Sequence, residues 1–529
     1  MRSCLVLAAI LAVAAPSSAF ADGSIAIDGG AIAVPVAGPM GIRSFRGIAY
    51  AAAPVGQLRW RPPAPLAAWQ GVRPTDNFGA DCVQRPSENN SPPARPRSED
   101  CLYLNVWTGA ARGAKLPVFV WFHGGGSRVG SGAEPQFDGT ALAAKGMIVV
   151  TVNYRLGPLG FVSMPGLTAE SGYRASGNYG FLDQIAALQW VRRNIAALGG
   201  DPAKVTIAGE SSGSVSTGTL MASPLARGLF AQVIGESGSV FRALEYGSMG
   251  ARSLADEERK GLQLADKLGT RDLAQLRAKP AEAILAASEQ VGTFYNLPVV
   301  DGHVLPASPA QLFAQHRSND VPLLVGWNSD EGSLQGVGVV APLPQMLQQI
   351  YGAQAAKIAP FYPATGPDDV AVRARVAGDD GIAFSAWTWA MAAAKFGTHP
   401  VYVYQFDRAP PLPAGAFGPK FDVALAGAYH GAEISYVFDT LPAHPKWAVT
   451  DADRRVAAQM STYWANFIKT GNPNGAGLPA WPVYDPVHPR RMAIGLTTGA
   501  VDDPDYARFV AIRAARRQID PPEPVAPQK

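Results

Sequence analysis

The chain has 529 residues, of which 47% are apolar and 16% charged, and its 45 Lys and Arg against 42 Asp and Glu give a formal net charge of +3. This composition excludes a disordered or acidic solvating protein, because enough apolar side chains are present to fill a large core. The basic residues are scattered rather than clustered, so no nucleic-acid partner is expected. The sequence therefore predicts a soluble globular protein.

The N-terminal segment differs from this average. Arg2 precedes an apolar run from Leu5 to Ala15, and Ala19-Phe-Ala21 has the small residues of a cleavage site. This pattern predicts a secretory signal peptide over residues 1–21 and a secreted or periplasmic protein. The apolar run is too short to cross a bilayer, and no run of 18 apolar residues follows it, so no membrane span is expected.

Cys82 and Cys101 are the only cysteines after residue 21. Export to an oxidising compartment favours a disulfide between them. Closing a loop of about 20 residues would stabilise the fold by about 3 kcal/mol in the chain-entropy description. None of the histidines has a paired spacing with either cysteine, so a bound metal is not expected.

Short apolar runs that alternate with amphipathic stretches predict an α/β fold. Strands are expected at Leu116–Phe122, Met147–Val152, Lys204–Ala208, Pro322–Val325 and Pro400–Phe406. Most of these runs are apolar on both faces, whereas Phe181–Leu198 has the periodicity of a helix. Strands buried on both faces and separated by helices predict a large, mostly parallel sheet with helices on each side.

The chain shows no internal repeat and no long linker. Length alone would suggest about three domains, but without a boundary we expect a single domain over residues 22–529. The helical pattern of residues 251–290 predicts an insertion or cap above the sheet. The proline-rich tail, residues 520–529, is expected to be frayed.

Two similar serine motifs raise the question of which serine is chemically active. Gly209-Glu-Ser211-Ser-Gly213 follows a predicted strand and precedes small residues that suit a helix, which is the context of a nucleophile elbow. The pentapeptide alone would occur by chance in roughly a third of such chains. The run Gly235-Glu-Ser237-Gly-Ser239 lacks the second glycine, so we expect Ser237 to be a neighbouring hydroxyl or a turn residue.

The segment His123-Gly-Gly-Gly126 follows the strand predicted at Leu116–Phe122. A flexible turn is the simplest interpretation of three glycines. Because the segment follows an apolar strand and precedes the serine, we interpret it as a source of backbone N–H donors for an oxyanion. His123 is expected to fix this loop rather than to act as a base.

A base and its orienting acid should follow the serine in the order acid, then histidine. The acid candidates are Asp301, Asp330 and Glu331, and spacing does not separate the last two. His430 follows the predicted strand Pro400–Phe406 and is the best placed histidine, with His444 as the alternative.

Several long segments, in order along the chain, resemble the type-B carboxylesterase family, which includes the cholinesterases and has the α/β-hydrolase fold. They are FRGIAYAAAPVGQLRWRPP, SEDCLYLNVW, FHGGG, NYRLGPLGF, GNYGFLDQIAALQWVRRNIAALGGDP, VTIAGESSG, PVVDG, DEGS, HGAEISYVF and YWANFIKTGNPN. The resemblance implies a large central sheet with helical cap insertions. It also implies hydrolysis of small-molecule carboxylic esters without a metal or organic cofactor.

The resemblance assigns roles to individual residues. It implies Ser211 as nucleophile, Glu331 rather than Asp330 as acid and His430 as base. It further implies oxyanion donors and a disulfide, namely the N–H groups of Gly125, Gly126 and Ser212 and the pair Cys82–Cys101.

Two departures from the family pattern bear on specificity. Choline-specific members have a tryptophan in the first disulfide loop that binds a quaternary ammonium, whereas no aromatic residue lies between Cys82 and Cys101. Choline esters are therefore poor candidate substrates. Ser127 stands where the family usually has Phe or Tyr, and Ser212 where it usually has Ala. The first exchange is expected to widen or wet the pocket.

The predicted function is thus a secreted serine carboxylesterase that works through an acyl-enzyme. A lipase, an amidase or a thioesterase with the same triad remains an alternative, as does a non-catalytic binding protein of cholinesterase type. Phe294, Tyr295, Trp387 and Trp389 are the candidate aromatic residues of the pocket, although aromatic side chains in so apolar a chain are more often core.

Overall fold

A computed structural model describes residues 23–86, 95–241, 252–292, 297–336, 341–364, 366, 369–419 and 421–519. The predicted signal peptide, the proline-rich tail, Phe294 and Tyr295 lie outside the described residues.

A ten-stranded sheet forms the centre of the molecule. Its strands are β1 Arg43–Ala49, β2 Tyr103–Thr108, β3 Leu116–Phe122, β4 Ile148–Val152, β5 Gly200–Glu210, β6 Gln232–Glu236, β7 Leu323–Asn328, β8 Val401–Phe406, β9 Arg490–Ile494 and β10 Gly499–Asp502. Their spatial order is β1-β2-β4-β3-β5-β6-β7-β8-β9-β10. The strands from β4 to β9 run parallel, and antiparallel pairs occur only toward the edges, at β1-β2-β4 and β9-β10. The mostly parallel sheet predicted from the sequence is confirmed.

The central strands are buried on both faces, and each face belongs to a separate apolar cluster. In β3, Val118, Val120 and Phe122 lie in the first cluster, whereas Phe119 and Trp121 lie in the second. Successive strand residues point to opposite faces, so a continuous apolar run serves two cores at once. This explains why β3 shows no polar alternation.

Helices cover both faces of the sheet. Helices α4, α5 and α14 contribute side chains to the first cluster, and α1, α15 and α16 contribute to the second. The helices are α1 Thr140–Ala144, α2 Gly157–Phe161, α3 Pro165–Glu170, α4 Tyr179–Asn194, α5 Ser212–Ala222, α6 Leu254–Lys267, α7 Leu273–Ala278, α8 Ala281–Gln290, α9 Pro309–Ala314, α10 Ser333–Gly336, α11 Leu343–Tyr351, α12 Ala355–Ile358, α13 Val370–Gly378, α14 Phe384–Phe396, α15 Ile434–Val437, α16 Asp451–Thr470 and α17 Tyr506–Ile519. Within the described part of the chain, none of them is long and apolar enough to cross a membrane.

The helical pattern predicted for residues 251–290 corresponds to α6, α7 and α8. Helix α6 packs closely against the loop before α3, since a Cβ atom at Gly261 would lie 1.8 Å from the Ser163 carbonyl oxygen. Trp387 and Trp389 are fully buried on α14. These two tryptophans therefore belong to the core.

Cys82 and Cys101 form a disulfide across 19 positions of sequence, as the sequence predicts. The side chain of Gln84, two residues after Cys82, donates to the Gly130 carbonyl at 2.9 Å and accepts from the Gly130 N–H at 2.8 Å. The disulfide loop is thereby fixed to the segment that follows the triple glycine.

Candidate active site

The serine of the first motif lies at a sharp turn between β5 and α5. Ser211 has φ 56° and ψ −121°, a backbone conformation that residues other than glycine rarely adopt. Its N–H donates to the Glu236 carbonyl at the end of β6 at 2.9 Å. The turn thus presents the Ser211 side chain at the carboxyl end of the sheet, the edge at which parallel α/β sheets form their sites.

Both glycines of this motif are required by close backbone approach. A Cβ atom at Gly213 would lie 2.0 Å from the Phe122 carbonyl oxygen, and one at Gly209 would lie 2.5 Å from the Gly213 carbonyl carbon. Any side chain at either position would therefore push α5 away from the end of β3. Ser237 has a positive φ of 53° as well, but its turn has no glycine at the corresponding second position.

His430 joins Ser211 to Glu331. Its Nε2 lies 2.8 Å from the Ser211 Oγ, and its Nδ1 lies 2.6 Å from the Glu331 Oε2. The other carboxylate oxygen of Glu331 accepts the Asn328 N–H at 2.8 Å. The three groups form a continuous hydrogen-bonded row that starts at a half-buried serine and ends at a buried carboxylate.

The other candidate acids are bound elsewhere. Asp330 accepts the Ala428 N–H at 3.0 Å and the Ser329 hydroxyl at 2.6 Å. The Asp301 carboxylate accepts the N–H groups of residues 303–305 and a hydrogen bond from the Asn178 amide. Both carboxylates therefore hold loops, and Glu331 alone among the three candidates reaches the histidine.

The remaining histidines have other partners. His444 contacts the Ser435 hydroxyl at 2.7 Å and stacks on Trp447. His123 lies with its Nδ1 2.9 Å from the Gly124 carbonyl and its ring stacked on Tyr154. Burial lowers the pKa of His123 to about 4, so this ring is neutral and holds the loop.

Ser237 is fully buried behind the row rather than in it. Its hydroxyl donates to Glu433 Oε1 at 3.0 Å, and the Asn328 amide donates to Glu433 Oε2 at 2.5 Å. The Asn328 N–H also binds Glu331, so Ser237 is connected to Glu331 through Glu433 and Asn328. Sequence reasoning missed Glu433 and Asn328. Glu433 could have been found from its position three residues after His430.

A further carboxylate, Glu210, precedes the serine and was also missed. Its Oε1 lies 3.3 Å from the His430 Nε2. Burial lowers the pKa of His430, but the charges of Glu210, Glu331 and Glu433 outweigh this effect and raise the pKa above its ordinary value. Burial and the neighbouring carboxylates raise the pKa of Glu210, against the opposing effect of the His430 charge. The charge of Glu210 thus raises the pKa of His430, and the charge of His430 opposes the rise in the pKa of Glu210.

The triple-glycine loop lies directly against the serine. A Cβ atom at Gly124 would lie 2.9 Å from the Glu210 carbonyl oxygen and 3.1 Å from the Ser211 Cβ, so a side chain here would force the loop away from the serine. Gly125 and Gly126 have left-handed φ values of 95° and 63°, and the Gly125 carbonyl accepts the N–H groups of Arg128 and Val129, each at 3.1 Å. The loop is thus a tight turn that lies beside the start of α5. The first N–H groups of a helix have no partner within the helix.

No group of three or more His, Cys, Asp or Glu side chains in the described ranges is arranged to hold a metal ion.

Comparison with known proteins places these features in a family. The chain matches the Carboxylesterase family over residues 26–350 and 374–512. A fumonisin B1 esterase from Sphingopyxis macrogoltabida is 37% identical over 461 residues, which cover 84% of this chain and 82% of that protein. A para-nitrobenzyl esterase from Bacillus subtilis is 36% identical over 461 residues, which cover 84% of this chain and 89% of that protein.

Among solved structures, a carboxylesterase from Geobacillus stearothermophilus superposes with a TM-score of 0.80 at 33% sequence identity. The superposition covers 92% of this chain and 99% of that one. The family match spans most of the sequence, and the relatives found by sequence and by structure are esterases. The chain therefore belongs to the carboxylesterase family, has the α/β-hydrolase fold and is a carboxylic ester hydrolase.

Proposed function

We propose that the protein hydrolyses small-molecule carboxylic esters through an acyl-enzyme on Ser211. The proposal rests on the position of the His430 ring. It lies within hydrogen-bonding distance of the Ser211 hydroxyl on one side and of the Glu331 carboxylate on the other. A nucleophile, a base and an orienting acid in this order are the parts that acyl transfer requires.

In the acylation step, the Ser211 Oγ attacks the ester carbonyl carbon while the His430 Nε2 takes the hydroxyl proton. Glu331 accepts the Nδ1–H, which keeps the imidazole in the tautomer with a free Nε2 and stabilises the imidazolium that forms. The N–H groups of Gly125, Gly126 and Ser212 donate to the tetrahedral oxyanion. His430 then protonates the leaving alcohol, and the acyl group remains on Ser211.

In the deacylation step, water repeats the sequence. His430 takes a proton from the water as it attacks the acyl carbon, and the second tetrahedral oxyanion meets the same three N–H donors. Collapse of this intermediate expels the Ser211 Oγ, which recovers its proton from His430. The carboxylic acid leaves, and the enzyme returns to its starting state.

The two buried carboxylates beside the row have supporting roles. Glu210 lies close to the His430 Nε2, so its negative charge favours the imidazolium that each step generates. Glu433 fixes Asn328, whose N–H in turn holds Glu331.

Choline esters are poor candidate substrates, since the disulfide loop between Cys82 and Cys101 contains no aromatic side chain for a quaternary ammonium. Esters of para-nitrophenol are suitable probes, in view of the para-nitrobenzyl esterase among the relatives.

Removal of the Ser211 hydroxyl is expected to abolish hydrolysis. Ser211→Ala should lower kcat for para-nitrophenyl butyrate by about 10⁶, because the acyl-enzyme cannot form. The matched variant Ser237→Ala removes a buried hydroxyl from the second motif and should retain at least about a hundredth of the parent kcat. A loss in Ser237→Ala as deep as in Ser211→Ala would show that the wrong serine has been assigned.

Glu331 and Asp330 are adjacent and can be compared directly. Glu331→Gln should lower kcat by about 10³ to 10⁴, since the amide no longer fixes the tautomer or offsets the imidazolium charge. Asp330→Asn should stay within about tenfold of the parent, because the amide oxygen can still accept the Ala428 N–H. The reverse order of the two losses would contradict the assignment.

The pH dependence of kcat/KM tests the role of Glu210. The active form has neutral His430, so activity falls as the pH drops through the pKa of His430, which the neighbouring carboxylates raise. Removing a negative charge beside the ring lowers that pKa, so Glu210→Gln should move the acid limb of the profile toward lower pH, by about one unit or more. Asp330→Asn serves as the control with an unchanged limb. A shift of the Glu210→Gln profile to higher pH, or none, would refute this role.

We further propose that the protein is exported and cleaved after Ala21, on the basis of the N-terminal pattern and of the disulfide, which an oxidising compartment favours. Protein recovered from the periplasm or the medium of a host that expresses the full chain should begin at Asp22 by N-terminal sequencing. Recovery of the uncleaved chain only in the cytoplasm would contradict export.

A further inference from the structure

Ser212 occupies the position between the proposed nucleophile and the rest of α5, and its side chain faces the triple-glycine loop. The Ser127 N–H donates to the Ser212 Oγ at 2.9 Å, across 85 positions of sequence. The backbone N–H of Ser212 is itself one of the proposed oxyanion donors. One residue therefore contributes a donor from its main chain and holds the neighbouring loop with its side chain.

The Ser212–Ser127 contact is anchored at both ends. The Ser216 hydroxyl donates to the Ser212 carbonyl at 2.9 Å, and the Gln184 amide on α4 donates to the Ser216 hydroxyl at 2.9 Å. At the other end, the Gly157 N–H at the start of α2 donates to the Ser127 carbonyl at 2.7 Å. A row of hydrogen bonds thus runs from α4 through α5 to the loop and on to α2.

Both ends of the loop have a hydrogen bond to a residue outside it. The Tyr154 hydroxyl donates to the His123 carbonyl at 2.7 Å, and the two rings are stacked. This fixes the start of the loop, before the glycines. The Ser212 hydroxyl holds the end of the loop, after the glycines, where the donors Gly125 and Gly126 are connected to Ser127.

The backbone of Ser127 requires this support. Its φ of 53° is a left-handed value, which is unfavourable for a residue with a side chain and persists only where the surroundings fix it. Hydrogen bonds to both its N–H and its carbonyl supply that constraint. Ser127 is only 2% exposed, so loss of the Ser212 acceptor would leave its N–H buried without this partner. The loop would then relax from the strained turn.

We propose that Ser212 is a positioning residue, whose hydroxyl holds Ser127 so that the N–H groups of Gly125 and Gly126 meet the oxyanion together with the Ser212 N–H. This inference rests on the proposed function, because it concerns the donors assigned there. Charge on the carbonyl oxygen develops fully only in the tetrahedral intermediate. A displaced donor therefore affects kcat, while the binding of the uncharged ester, reflected in KM, changes little.

The test is Ser212→Ala, with Thr219→Val as the matched control. Thr219 is a buried residue of the same helix whose hydroxyl donates only to the Val215 carbonyl of that helix. With para-nitrophenyl butyrate, kcat of Ser212→Ala should fall by about 10- to 100-fold, part of the effect of deleting a donor outright. KM should stay within about twofold, and Thr219→Val should keep the parent kcat.

A second measurement separates positioning from a merely structural role. A trifluoromethyl ketone forms a tetrahedral adduct with the nucleophile, so its inhibition constant reports the oxyanion site. In Ser212→Ala its affinity should fall by the same factor as kcat/KM, whereas Thr219→Val should keep the parent affinity. If Ser212→Ala does not fold, Ser212→Thr and Ser212→Val, alike in shape but only the first with an acceptor, give the same comparison: Thr active, Val impaired.

A kcat for Ser212→Ala within about twofold of the parent, or a loss confined to KM with ketone affinity unchanged, would overturn this inference. If Ser211→Ala is inactive while Ser212→Ala retains the parent kcat, the proposed function stands and the positioning role alone is wrong. If Ser211→Ala itself remains active, the proposed function fails first.

Discussion

The imidazole of His430 is hydrogen-bonded to two groups that lie 219 and 99 positions away in the sequence. Such contacts require that the ends of β5, β7 and β8 meet at one edge of the sheet, because each of the three residues follows one of these strands. Parallel strands, buried on both faces, provide that edge. The mostly parallel sheet therefore determines the position of the site, and the loops supply its chemistry.

The site is also an electrostatic arrangement. Glu210, Glu236, Glu331 and Glu433 are all buried, and the charges of all but Glu236 act on His430. Burial of a carboxylate is costly unless it is neutralised or hydrogen-bonded. Glu331, Glu236 and Glu433 accept hydrogen bonds from Asn328, Trp464 and Ser237 respectively. Burial, followed by the charge of Glu433, raises the pKa of Glu236 well above its ordinary range. The charges of Glu210, Glu331 and Glu433 raise the pKa of His430 and so favour the imidazolium, the charged state that each proposed transfer passes through.

Much of the fold could be predicted from the sequence, and the missing parts have physical causes. Strands β3, β4, β5, β7 and β8 are apolar on both faces and stand out as continuous runs. The edge strands β1 and β10 are only partly buried, and the short β6 ends in Gly235 and Glu236, so neither apolar runs nor strict alternation reveals them. The disulfide followed from cysteine count and compartment, whereas the hold of Gln84 on Gly130 is a tertiary contact that no local pattern encodes.

The candidate site shows the same division. The nucleophile elbow could be predicted from the sequence, because glycines at positions 209 and 213 are needed for close backbone contacts. Spacing did not separate Asp330 from Glu331, since both lie in one loop after β7. Only the path of the chain shows that Asp330 binds the backbone of residue 428 and Glu331 faces His430. The wider or wetter pocket expected from Ser127 stays a prediction, and Ser127 itself is buried at the end of the triple-glycine loop.

The central claim is that the Ser211 hydroxyl is activated by His430 and Glu331. Covalent labelling with diisopropyl fluorophosphate, followed by intact mass measurement and peptide mapping, tests it most directly. The account predicts one phosphoryl group per chain, on the peptide that contains Ser211, with loss of esterase activity in proportion to labelling and no labelling of heat-denatured protein. Labelling at another residue, or full inhibition with Ser211 unmodified, would contradict it.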